Sequence, residues 1–148
     1  MADYTERFTE VNYPLLYENA DSIAVGTHLS AYALMEEYHR GVLVFNCGDM
    51  GAGGDIDVAL YQATSNIGAG RKAITGKALT ELNQAAGHGN DLCAIELQTE
   101  EMDVSGGFCY VQVEVYVGGA ASELSWIFYG RVPRFAPTVV TNWHEVVG

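Results

Sequence analysis

The chain has 148 residues, 49% hydrophobic and 11% aromatic, which is the length of one domain with enough apolar material for a core. Seven basic residues against nineteen acidic ones leave a net charge of -12, which opposes tight binding to nucleic acid, where lysine and arginine must displace counterions from phosphates. The high apolar share and scattered acids exclude a disordered acidic tail, and no apolar run approaches the roughly 18 residues of a membrane span.

Residues 1–10 are polar and acidic rather than basic and then apolar, so no signal peptide is expected. Residues 1–20 mix charges with Tyr4, Phe8, Tyr13, Leu15, Leu16 and Tyr17, with Pro14 interrupting them. No period emerges, and the segment reads as an N-terminal arm. Residues 21–132 read as the folded domain, because glycine clusters there punctuate short apolar or alternating runs, the pattern of an antiparallel sandwich or barrel.

Within that domain, Leu34, Met35 and Tyr38 lie at helix-like spacing in Ala31–Arg40. Gly41–Asn46 is a continuous apolar run, the pattern of a strand covered on both faces. Gly48–Asp55 is glycine-rich but lacks the lysine and the serine or threonine of a phosphate loop, and its aspartates repel phosphate, so it reads as a hairpin loop. Asp55–Ala63 alternates, with Ile56, Val58, Leu60 and Gln62 on one face. Gly68–Lys72 reads as a second hairpin loop. Ala73–Leu79 is assigned to a strand over a short helix, since Ile74, Thr75 and Gly76 disfavour the helix. His88 sits in a glycine-flanked turn.

Asp91–Thr99 predicts a strand whose phase slips near Cys93, the signature of a bulge. Glu100–Asp103 predicts one helical turn or a corner between sheets. Phe108–Val117 is the clearest strand: Val111, Val113, Val115 and Val117 share one face, while Tyr110, Gln112, Glu114 and Tyr116 share the other. Leu124–Val132 places Trp126, Phe128 and Val132 on one side. Six or seven strands result. Residues 133–148 hold Pro133, Phe135, Pro137 and Trp143 and read as a C-terminal arm, the prolines arguing against regular pairing. The fold class expected is all-β, an antiparallel β-sandwich of jelly-roll type with an arm at each end.

The residues for chemistry are sparse. Cys47, Cys93 and Cys109 are an odd number in apolar contexts and read as reduced cysteines of a protein made in a cytoplasm. The four histidines lack zinc spacing. Asp49, Asp55 and Asp57, or Glu100, Glu101 and Asp103, supply oxygens hard enough for calcium, but neither set has EF-hand spacing, and both read as solvated loops. Ser65 and Ser105 stand in no nucleophile elbow. No catalytic residue, metal ligand or cofactor is assigned, and an enzyme is not expected.

The runs Gly54–Thr64, Gly70–Ala78, Ala94–Asp103, Gly106–Val113 and Phe135–Pro137 together resemble small virion proteins of tailed bacteriophages. The likeness covers residues 40–137 and leaves residues 1–30 unmatched. It implies a β-sandwich structural subunit, with capsid decoration (cement) protein as the nearest role. Such a subunit is commonly a homotrimer bound to the major capsid protein on the capsid exterior, with neither nucleic acid nor membrane as partner. Head–tail connector, neck and tail subunits share similar folds and stay open as alternatives. So does a ligand- or carbohydrate-binding sandwich, in which exposed Tyr and Trp supply stacking platforms.

A shell-binding subunit needs contact area, and aromatic anchors carry much of the energy of such contacts. The interaction residues expected are therefore the rings of the two arms: Tyr4, Phe8, Tyr13, Tyr17, Phe135 and Trp143. The arms either reach a neighbouring subunit or fold back on their own domain.

Overall fold

The computed structural model describes residues 7–134 and 142–147. After one helical turn, α1 (Phe8–Val11), come ten strands among the described residues. They are β1 (Asn12–Ile23), β2 (Gly26–Leu29), β3 (Ala33–Leu34), β4 (Tyr38–Met50), β5 (Asp55–Ala63), β6 (Lys72–Ala78), β7 (Leu82–Asn83), β8 (Leu92–Gln98), β9 (Tyr110–Gly118) and β10 (Ser122–Pro133). Two antiparallel sheets result, ordered β1-β10-β4-β8 and β2-β9-β5-β6, with β3 pairing with β9 and β7 with β5. The two sheets pack against each other, so the expected all-β sandwich is the fold.

Alternation decides what each strand buries. From the four-stranded sheet, Leu43, Phe45, Cys47, Ile95, Leu97, Leu124, Trp126 and Phe128 point inward. Val111, Val113, Val115 and Val117 on β9, with Ile56, Val58 and Leu60 on β5, meet them from the other sheet. Two inward positions that face each other across β4 and β10 are Gly41 and Gly130. A methyl group on Gly41 would lie 2.5 Å from the Phe128 ring, and one on Gly130 would lie 2.8 Å from Leu15 and 2.9 Å from Tyr38. The missing side chains make the space that these larger groups fill.

Several sequence expectations change. The boundary expected after residue 20 falls inside β1, which is hydrogen-bonded along β10 as a sheet edge. Its period was hidden because pairing is irregular between Pro14 and Leu16 and again between Glu18 and Asp21, each slip reversing the phase of the alternation. Ala31–Arg40 is not helical. Met35 and Tyr38 are both buried because the chain turns between them, from β3 into β4. No bulge occurs at Cys93, since β8 pairs with β4 in continuous register; Cys93, Ile95 and Leu97 face inward, and Leu92 points to solvent. Val132 leaves the core side because its φ of 52° turns the chain, and it is 46% exposed. The helical turn expected at Glu100–Asp103 is present but lies earlier, as a 3-10 turn over Thr99–Glu101.

Candidate interaction surface

The outward side of the four-stranded sheet can be read row by row from its register. Pro14, Tyr129, Val42 and Glu96 form one row across β1, β10, β4 and β8. Tyr17, Ile127, Val44 and Ala94 form the next, and Ser125, Asn46 and Leu92 follow. Beyond Tyr129, the row at the other end holds Arg131, Arg40 and Gln98. The outer side of an antiparallel sheet that faces water is normally polar. Here its middle is apolar: Val42, Val44 and Ile127 are half-buried, Tyr17 is 52% exposed and Leu92 is 72% exposed.

Both chain ends build a ridge of rings on this side. Phe8 of α1 meets Tyr129 edge to face, with centroids 5.7 Å apart and planes at 85°. Trp143 lies against the same Tyr129 at 6.5 Å. The segment carrying it is anchored by Asn142, whose Nδ2 donates to the Pro14 carbonyl at 2.6 Å. α1 is anchored in turn by Asn12 Nδ2, which donates to the Phe8 carbonyl at 2.7 Å, and by the Tyr13 hydroxyl, which donates to the Glu10 carbonyl at 2.6 Å. Burial under these rings pushes the Tyr129 hydroxyl above its ordinary pKa. Trp143 Nε1 and Arg131 Nε are buried donors that find no acceptor among the described residues.

Of the six rings expected from the arms, the structure brings Phe8 and Trp143 together and leaves Tyr17 on the same side. Tyr13 is not on this surface; its ring turns inward and packs against Tyr38 at 5.8 Å. Tyr4 and Phe135 lie outside the described residues. Sequence reading missed Tyr129, the ring that joins the other two. The signal was present, because Tyr129 falls on the opposite phase of β10 from Trp126 and Phe128. It also missed the apolar outward residues of β4 and β8, although the unbroken apolar run Gly41–Asn46 already implied cover on both faces.

Several polar groups elsewhere are engaged with one another. Arg71 stacks on Tyr61, 3.6 Å from the ring centroid, while Nε donates to Gln112 Oε1 at 2.7 Å and a terminal nitrogen pairs with Glu114. Lys72 pairs with Asp103 at 2.6 Å, and Lys77 pairs with Glu101 at 2.9 Å. The Lys72 ammonium and the Gly106 N–H hold the Asp103 carboxyl below its ordinary range, and the Gln98 N–H and Lys77 do the same for Glu101. Two members of the second acidic set considered for calcium, Glu101 and Asp103, therefore already have lysine counter-charges.

From the first set, Asp55 and Asp57 come together with Glu81, their carboxylate oxygens within 4.8 Å of one another. Asp49 stands apart and accepts a hydrogen bond from Asn90 Nδ2. Burial, then Glu81 and Asp55, push the Asp57 carboxyl upward. His88 Nδ1 accepts from the Asn83 N–H at 3.0 Å and thereby holds its own loop. The three cysteines are free thiols, each pushed upward in pKa chiefly by burial, which disfavours the reactive thiolate.

Among the described residues, no helix is long and apolar enough to cross a membrane. No protein-family model matches the chain, and no curated protein matches it either.

Proposed function

We propose that this chain is a non-enzymatic structural subunit of a tailed-bacteriophage virion, which attaches as a homo-oligomer to the outside of the major capsid protein shell and stabilises it. One observation carries the reading: the apolar outer side of the four-stranded sheet, with its ridge of Phe8, Tyr129 and Trp143. Burying such a surface against another protein is favourable by roughly 25 cal/mol per Å² of apolar area, and rings are the side chains that most often dominate contacts of this kind. The runs between residues 40 and 137 that resemble phage virion proteins support the same assignment. The net charge of -12 suits a particle exterior, where attraction to packaged DNA has no use and basic patches on a shell protein would steer docking.

Binding of the purified protein to undecorated expanded shells tests the proposal, with saturable attachment as the expected result. Leu92→Asp and Phe8→Asp should each weaken attachment while leaving the β-rich circular dichroism unchanged. Absence of binding, with recovery of the protein in isolated tails or necks, would assign it to the connector or tail class instead.

A further inference from the structure

The chain has seven basic residues for nineteen acidic ones, so a cation in it without a counter-charge is unexpected. Arg71, Lys72 and Lys77 are paired with Glu114, Asp103 and Glu101. Arg40 and Arg131 are not. They stand directly opposite each other across β4 and β10, on the outward side of the four-stranded sheet. Neither side chain has an ion pair or a hydrogen bond among the described residues. Like charges placed directly opposite destabilise a strand pair. Arg131 Nε is nevertheless covered from water with no acceptor, so packing rather than a counter-charge holds this guanidinium in place.

The two arginines line a pocket of about 120 Å³ together with Val42, Glu96, Lys77 and Glu101. A water molecule's share of the liquid is about 30 Å³, so the pocket has room for a carboxylate group. Its charge fits one as well. Lys77 and Glu101 neutralise each other, and Glu96 offsets one arginine without pairing with either. One positive charge is left over, which matches a monoanion better than a phosphate dianion. The more distant acids of the chain are screened beyond roughly 8 Å at physiological salt. Guanidinium groups present a planar fork of donors that fits the two oxygens of a carboxylate. Val42 gives the pocket an apolar wall toward Tyr129, its partner in register.

The geometry points to a binding site for a small carboxylic acid with an apolar body, its carboxylate bridging Arg40 and Arg131 and its apolar part resting on Val42. The bound charge relieves the repulsion between the two guanidinium groups. A guanidinium already held by packing gives up little entropy on binding. This site goes beyond the proposed function and does not depend on it, because it is read on the free protein with no shell present.

The test is NMR of the isotope-labelled full-length protein, following the arginine Nε–H signals during titration with sodium phenylacetate at neutral pH and constant ionic strength. The Arg40 and Arg131 signals should shift and saturate, while that of Arg71, already paired, should not move. Inorganic phosphate should bind more weakly. Phenethyl alcohol, which keeps the ring and lacks the charge, should leave all three signals in place. Arg40 and Glu96 are both exposed, so their variants should fold. Arg40→Gln should weaken phenylacetate binding about tenfold or more, the worth of a hydrogen bond to a charged group. Glu96→Gln should tighten it, a gain that damage to the fold would not produce. No saturable shift, tighter binding of phosphate, an equal response to the alcohol, an Arg40→Gln protein that binds as wild type does, or a Glu96→Gln protein that binds no more tightly would each overturn the proposal.

Discussion

The indole of Trp143 lies against the ring of Tyr129, with centroids 6.5 Å apart and planes at 36°. The last described segment of the chain is thereby packed on β10. Of the two dispositions open to the C-terminal arm, its described part takes the one on its own domain.

That contact sets different costs for the two tryptophans. Trp126 is 5% exposed inside the sandwich, and Trp126→Ala should cost about 3–5 kcal/mol. Trp143 is half-buried on the outside, and Trp143→Ala should cost about 0.5–1.5 kcal/mol, the worth of one ring pair. Urea unfolding of both variants measures the difference. Equal losses would contradict this division.

Removal of residues 1–20 should abolish the cooperative unfolding transition rather than trim a tail. It takes most of β1 away from β10, exposes the edge of β10 and removes Leu15 and Leu16 from the core. Differential scanning calorimetry of the truncated protein reads this directly.

Gly130→Ala should destabilise by about 1–3 kcal/mol, the usual cost of overpacking a filled core, because the new methyl group meets Leu15 and Tyr38 together. Gly130→Ala combined with Leu15→Ala should recover part of the loss, since the second change vacates one of the two contacts. A double-mutant cycle in denaturant gives the coupling.

Arg71→Lys should lose about 1–2 kcal/mol despite keeping the charge. An ammonium cannot stack flat on Tyr61 while also reaching Gln112 and Glu114. Chemical unfolding measures the loss, and Arg71→Met should lose no less.

Stability should carry two opposed pH dependences. Asp103 and Glu101 titrate below their ordinary values of 3.8 and 4.5. They hold fewer protons folded than unfolded, so their contribution is present above those values and is lost as pH falls through the lowered ones. Asp57 is raised above 3.8, so its ionisation destabilises the fold, and fully so once pH exceeds the raised value. Lys72→Met should therefore lower the melting temperature at neutral pH, with the deficit shrinking in acid. Asp57→Asn should raise it at neutral pH and have no effect in strong acid. Thermal unfolding across a pH series checks both signs.

Much of the sandwich was legible wherever alternation ran undisturbed. Asp55–Ala63 was bounded as β5 is, and the four valines of β9 point where their spacing placed them. The sequence misled at Leu92, which faces out and so mimicked a slip of phase near Cys93, and where two buried residues belong to different parts of the chain, as Met35 and Tyr38 do. β1 was hidden because its slips break the period that identifies a strand. The ring cluster was half legible: the terminal aromatics stood out in composition, but their meeting point, Tyr129, is set by pairing between distant strands.

β1 and β10 are the first and last strands among the described residues, so this edge of the four-stranded sheet cannot pair until the eight strands between them have been made. A nascent chain must hold β1 unpaired until β10 clears the ribosome. Closing so long a loop carries an entropy cost before any pairing repays it. This order of events predicts slow maturation and a dependence on chaperones during translation.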